Sequence, residues 1–500
     1  MKKLLSLLVF SGLLLISCSD DDDIIDITPM EEVPVVYTSG SADFSNYVAV
    51  GNSLTAGYSD SALFIDGQNA SFPNMLASNF ALVGGGDFSI PLMADNFGGA
   101  TLGGQPILGN RLFLDFTSGT PTPTPVSGTG TTEISNTLSG SFNNMGVPGA
   151  KSYHLTAPGY GSVAGVALGL ANPYYARFAS ASDATIIGDA ISQNPTFFSL
   201  WIGNNDILGF ATSGGDGVDQ TGNFNPATYG SNDISDPNVF AGVYDGLLQA
   251  LTANGAKGVV ANIPDISTLP YFTTVPHNPV PLDAATANLL NGAYAAYNGG
   301  LAQLQGLGAI SADELAQRTI SFVAGETNAV VLIDEDLTNL TGFNPALINM
   351  RQATADDLLV FTSQTIIGTL ANPADPTSIH GVAVPLADKW VLTPEEQLAV
   401  KTAQTAYNQT IEALAQQYGL AFVDAEGLMT ETAENGLQLP DGSILTSTYG
   451  TGGAFSLDGV HPSPRGYAIL AIFFIDAINT TYGSDLPGVN PLDYTGLYIN

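Results

Sequence analysis

"YVAVGNSLTAGYSD", residues 47–60, is the stretch whose reading decides the fold. Tyr47, Val48, Ala49 and Val50 make a short apolar run of strand length that stops at Gly51, and a polar Asn52-Ser53 pair follows at once. Asn and Ser are favoured helix caps, so the simplest account is a buried strand running into a helix. A serine held on a tight turn at the end of such a strand is also a residue displayed for chemistry. The rest of the chain has to decide between the two.

Further apolar runs recur along the chain, separated by helical patterns. "TFFSLWIG" (196–203) and "GVVANIP" (258–264) read as strands, the second preceded by a helical stretch over about 239–253. "TPEEQLAV" opens the clearest helix, with Thr393 at the N-cap, Pro394 at the first helical position and Glu396 completing a capping box. That helix is expected to run to about Tyr418 on Leu398, Ala406, Ile411 and Leu414, and Gly419 ends it before the strand "LAFVD". "GYAILAIFFIDAI" (466–478) closes the pattern. Strands alternating with helices predict an α/β fold, a three-layer α/β/α sandwich around a mostly parallel central sheet.

Two regions depart from that plan and are expected as long insertions, at about 59–141 and 309–389. The first is rich in Gly, Pro and Thr ("TSGTPTPTPVSGTGTT") and reads as long loops or a small lid. The N-terminus carries Lys2 and Lys3, then an apolar stretch over 4–16 too short to span a bilayer, then Ser17 and Cys18, the single cysteine of the 500-residue chain. "LISC" resembles a bacterial lipobox, which implies a signal peptide over 1–17 and lipidation of Cys18. Residues 18–43, beginning "CSDDDD", read as an acidic flexible tether that also resembles a surface-export signal. The expected organisation is completed by one large domain over 44–482, carrying the two insertions, and a C-terminal tail over 483–500. It predicts a bacterial outer-membrane lipoprotein, exposed on the surface or facing the periplasm. A net charge of −35, from 11 basic and 46 acidic residues, argues against nucleic acid as a partner, because phosphate binding needs Lys and Arg.

Three more stretches bear on Ser53. "NNMGVPGAKSY" (143–153) brackets a proline with Gly146 and Gly149, and "WIGNNDILG" (201–209) ends an apolar strand in Asn204, Asn205 and Asp206. Amides at the carboxyl end of a parallel strand sit where open α/β sheets bind ligands. "LDGVHPSPRGYAIL" (457–470) sets Asp458 three residues before His461, one of only four histidines, and His154, His277 and His380 have no such neighbour. Acyl transfer needs a serine, a base for its proton, a carboxylate to hold the base, and donors aimed at the developing oxyanion. Ser53, His461, Asp458, the Gly149 N–H and the Asn205 amide supply these in kind.

In this order the four stretches resemble the four blocks of the SGNH (GDSL-type) hydrolase family: "VGNSLTAG", "GVPGA", "IGNND" and "DGVHPSPRGY". The resemblance implies a flavodoxin-like sandwich in which Ser53 is the nucleophile and Asp458 and His461 complete the triad. It implies an oxyanion hole made by the Ser53 and Gly149 N–H groups and the Asn205 side chain, and chemistry needing neither metal nor organic cofactor. Gly146 lies in the same turn as Gly149 and competes for that role. Asn52 departs from the pattern, standing where the family usually has Asp.

The function expected from this set is a membrane-anchored serine esterase or lipase acting on lipid or other acyl esters. A polysaccharide acetylesterase of the same family is the alternative within the class, with Trp201 or Tyr174–Tyr175 as aromatic platforms. A non-catalytic glycan- or lipid-binding surface lipoprotein is the alternative outside it.

Overall fold

The computed structural model describes residues 35–117, 119 and 121–499. The expected signal peptide, Cys18 and the tether up to residue 34 lie outside the described residues. Five strands form the central sheet: β1 (Tyr47–Gly51), β2 (Asn144–Gly146), β3 (Phe197–Trp201), β4 (Lys257–Ala261) and β5 (Ala421–Val423). They pair in the order β2-β1-β3-β4-β5, and every pairing is parallel. The helices that matter for the site are α1 (Ser53–Ala56), α2 (Phe72–Ala81), α3 (Asn205–Thr212), α4 (Pro237–Thr252), α5 (Ala284–Gly306), α6 (Pro394–Tyr418), α7 (Ala425–Glu434) and α8 (Pro464–Tyr482).

The strands are apolar throughout because both faces are covered. On one face Val48 and Val50 of β1, with Phe198 and Leu200 of β3, pack against α3, α4 and α6. On the other, Tyr47 and Ala49, with Phe197 and Trp201, pack against α2 and α8. The chain is thus the expected three-layer α/β/α arrangement. The order 2-1-3-4-5 has one reversal point, between β1 and β3, where the connections leave in opposite directions and open a crevice at the carboxyl ends. Ser53 follows β1 and Asn205 follows β3, so both stand at that crevice.

Local details correct the sequence reading in three places. In α6 the expected boundaries hold: Glu396 Oε2 accepts the Thr393 N–H at 2.6 Å, and Gly419 closes the helix in the left-handed region at φ 63°. Its buried face, however, is Val400, Ala403, Tyr407, Ile411 and Ala415, while Leu398 points to solvent, because the sheet contacts the stripe one position round the helix. The region expected as loops from residue 59 contains α2, whose Phe72, Met75, Leu76 and Phe80 are core residues. Glycine and proline dominate its composition, but the apolar spacing within 72–80 is helical. Finally, the residues expected as a second insertion over 309–389 share a third apolar cluster running from Val275 to Val391, which includes Leu290, Tyr294, Tyr297 and Leu301 of α5. Inside it Arg351 is paired with Asp334 at 2.5 Å and with Asp357 at 2.6 Å.

Both ends of the described chain are tied to α8. The Ser41 N–H donates to Tyr482 O at 2.8 Å, and the Arg465 N–H donates to Thr495 O at 3.0 Å. Leu486 is buried with the α8 face of the core. No helix among the described residues is long and apolar enough to cross a membrane.

Candidate active site

Ser53 is the first residue of α1, one turn of helix closed by Gly57 in the left-handed region. Asn52 caps it: its Oδ1 accepts the Leu54 N–H at 3.0 Å. Its Nδ2 donates to Asn204 Oδ1, also at 3.0 Å. That second bond requires an N–H at position 52, so an amide, and not a carboxylate, joins the turn after β1 to the turn after β3.

A continuous hydrogen-bonded chain runs from the serine. Ser53 Oγ lies 2.9 Å from His461 Nε2, and His461 Nδ1 lies 2.9 Å from Asp458 Oδ2. Asp458 Oδ1 accepts the backbone N–H groups of Val460 at 2.9 Å and His461 at 2.8 Å, and Oδ2 also accepts the Ser61 N–H at 2.9 Å. Burial alone would raise the Asp458 pKa, but the adjacent His461 ring and the backbone donors outweigh it and hold the carboxyl down at about 2. An ionised Asp458 keeps a proton on Nδ1 and leaves the Nε2 lone pair facing the Ser53 hydroxyl. The Tyr58 ring packs against the imidazole with centroids 4.6 Å apart, fixing its plane.

The candidate oxyanion donors, Gly146 and Gly149, separate in the structure. The Gly146 N–H is already committed to Asn144 Oδ1 at 2.9 Å. A Cβ at Gly146 would lie 2.3 Å from the Ala56 nitrogen, so this glycine serves the packing of α1 on β2. Neither Gly149 N–H nor Ser53 N–H has an acceptor among the described residues. One hydrogen of Asn205 Nδ2 goes to Ala150 O at 2.9 Å, which leaves its second hydrogen free and ties Asn205 to the residue after Gly149. Asp206, fully buried, reinforces the same junction: its oxygens accept the Ser152 N–H at 2.8 Å and the Ser152 hydroxyl at 2.7 Å.

Other supporting residues escaped the sequence reading. Asp60 and Ser61 both have positive φ, 51° and 65°, in a turn that brings the Ser61 N–H to Asp458. The Asp60 carboxylate accepts the Leu457 N–H at 2.9 Å. This turn therefore holds the Asp458–His461 loop from the opposite side. Ser61 acts through its backbone, for which no side-chain pattern gives a signal, although Asp60 ends the same stretch that contains Ser53. Conversely, the tyrosine pair expected as a sugar platform is not available as such, while Trp201 lines the cleft beside Ser53. Tyr174 and Tyr175 are buried, and Trp201, also buried, donates its indole N–H to Asn262 O at 3.0 Å.

Beside Ser53 lies a cleft of about 820 Å³ of empty space, open mouth included. Its polar side chains are Asn52, Ser53, Asn204, Asn205, Thr432 and His461, and the rest of the lining is apolar, with Leu208, Ile266, Leu428, Met429 and Leu470 prominent. These come from α3, the segment after β4, α7 and α8, so the cleft is built by the layers that flank the crevice.

No family model matches the chain, and no curated protein matches it. Among solved structures, a mutant of Axe2, an acetyl-xylooligosaccharide esterase from Geobacillus Stearmophilus, is 10% identical with a TM-score of 0.30, over 88% of this chain and 96% of that one. An extracellular lipase from Streptomyces rimosus is 10% identical with a TM-score of 0.29, over 87% of this chain and 99% of that one. What this chain can do follows from its own geometry.

Proposed function

We propose that the protein is a serine esterase of the SGNH type that hydrolyses carboxylic esters of lipids or other extended acyl groups. The observation that carries this reading is the Ser53–His461–Asp458 chain of 2.9 Å contacts opening onto an apolar cleft. His461 Nε2 takes the Ser53 proton as Oγ bonds to the ester carbonyl carbon. The oxyanion so formed accepts from the Ser53 and Gly149 N–H groups and the free hydrogen of Asn205. Collapse breaks the bond to the alkoxide, which leaves with the proton held on His461, and an acyl-Ser53 remains. Water, deprotonated by the same nitrogen, attacks the acyl carbon, and cleavage from Oγ, which takes that proton back from His461, releases the acid and restores Ser53. A cleft lined mainly by aliphatic carbon favours an acyl chain over an acetylated sugar, and the burial of Tyr174 and Tyr175 removes two of the surfaces a glycan would stack on. The signal-like N-terminus supports attachment to the bacterial outer membrane through lipidated Cys18, which would hold the enzyme near its substrates.

The test is a nitrophenyl ester series from acetyl to dodecanoyl, with purified wild type and Ser53→Ala. Each methylene buried in the cleft contributes about 0.8 kcal/mol, so kcat/KM should rise about fourfold per methylene until the cleft is full. A rate that is highest for acetyl would favour the polysaccharide deacetylase. Hydrolysis of every ester at equal rates by wild type and Ser53→Ala would overturn the enzyme reading.

A further inference from the structure

Away from the cleft, one cluster of carboxylates, anchored on a buried glutamate, has no use in ester chemistry. Glu335 follows the strand Val331–Ile333, Asp388 begins the short turn Asp388–Trp390, and Glu396 is the third residue of α6. One carboxylate oxygen from each lies within 4.8 Å of the other two. Glu396 is only 7% exposed; its Oε2 caps α6, but its Oε1 is buried with no hydrogen-bond partner. Asp388 Oδ1 is likewise buried without a partner. The acidic surroundings extend to Asp216 and Asp336. Among the described residues none of the three carboxylates pairs with a lysine or arginine. The neighbouring Lys389 instead places its ammonium 5.1 Å from the Trp390 ring centre.

Buried anionic oxygens left unpaired cost several kcal/mol each unless a cation joins them. We infer that Glu335, Asp388 and Glu396 form a calcium site that fastens the 275–391 region to the hydrolase core. Calcium takes six to eight oxygen ligands at about 2.4 Å in flexible geometry, so two oxygens on one ion stand at most about 4.8 Å apart, a limit these three meet; magnesium demands near-ideal octahedral geometry and keeps several waters, which suits a cage of protein carboxylates less well. The site also touches the loop after α3. A Cβ at Gly215 would lie 1.8 Å from Glu396 Oε1, and one at Gly214 would lie 2.7 Å from Asp388 O. An ion here therefore ties the 275–391 region to the start of α6, and the loop after α3 packs directly against both.

The experiment uses the purified protein, stripped with a chelator and returned to calcium chloride at about 2 mM, above the roughly 0.1–1 mM dissociation constants of extracellular calcium modules. Equilibrium dialysis with radioactive calcium is expected to give one site lost on chelation, and Tm to rise by about 1–2 °C. Glu335→Gln, at an exposed position that leaves folding intact, should weaken binding at least tenfold, and Glu396→Gln should abolish it. Absence of bound calcium in the wild type would overturn the proposal. So would an equal response to magnesium, or wild-type binding by Glu335→Gln and Glu396→Gln, since either would mean that the ion screens the acidic surface at large. A Tm that rises on acidification yet ignores calcium would also overturn it, showing that the carboxyls share protons instead.

Discussion

Asn204→Ala and Asn205→Ala remove the same amide from adjacent positions, and the structure gives them different consequences. Asn205 keeps one N–H for Ala150 O and has the other free at the cleft. Losing one oxyanion donor costs on the order of 10²–10³ in kcat, about 2.7–4 kcal/mol, with little effect on ground-state binding. The lost bond to Ala150 O is neutral and half-buried, worth about 0.5–1.5 kcal/mol of stability. Asn204 is different: its Oδ1 accepts from Asn52 Nδ2, and Asn52 is 1% exposed. Truncation strands a buried donor, which costs about 1–3 kcal/mol of folding stability. The assay is kcat and KM on nitrophenyl butyrate alongside urea denaturation of wild type and both variants. Asn205→Ala should lose at least about 100-fold in kcat with KM within a few-fold and a small shift in midpoint. Asn204→Ala should show the larger shift in midpoint and at most about a tenfold loss in kcat. Matched losses of turnover at the two positions, each tracking stability, would refute the oxyanion role and leave only an Asn-rich turn.

Ser53→Ala should abolish covalent labelling by an organophosphonate, and His461→Ala should come close to doing so, since triad members act as a unit; wild-type labelling of either variant contradicts the assignment. Asp60 has its pKa raised from 3.8 to about 7, chiefly by burial. The folded state therefore holds its proton more tightly than the unfolded chain, and the associated stability is full below about pH 4 and lost as pH rises through about 7, on the order of 4 kcal/mol in all. Asp60→Asn, which can still accept from Leu457, should gain stability relative to wild type as pH rises from about 4 to about 7 and hold that gain above it, and a pH-independent difference in urea midpoint would contradict this. Met429→Phe, which narrows the cleft, should cut kcat/KM on octanoyl esters about tenfold, the burial of nearly two methylenes, while sparing acetyl esters; parallel losses on both would place the acyl chain elsewhere. Cys18→Ala should move the protein from washed membranes to the soluble fraction, and its retention there would contradict lipid anchoring.

Most of the site was legible because its chemistry is carried by side chains in short local patterns. Ser53 after a strand, Asn205 after another and Asp458 three residues before His461 are each visible within a dozen residues, and the structure brings all four to one crevice. The choice of Gly149 over Gly146 was not legible, because it turns on which backbone N–H is already bonded. Nor was the role of Asn52, whose value lies in a partner 152 positions away. The same distance problem hid the Asp60–Ser61 turn and the fate of the aromatic pair Tyr174–Tyr175, whereas the helix over Phe72–Ala81 was masked by the Gly- and Pro-rich composition around it.

By itself the sequence determined the strand-helix alternation, the α6 boundaries and the candidate reacting groups, since hydrophobic period, capping and functional-group chemistry are local properties of the chain. The tertiary structure alone decided which apolar positions face the sheet, which glycine keeps its N–H free, and that aliphatic side chains from α3, α7 and α8 enclose a cleft at Ser53. It alone gathered Glu335, Asp388 and Glu396 into one cluster. Burial, competing hydrogen bonds and the meeting of like charges depend on neighbours distant in sequence, and only the packed layers set those neighbours.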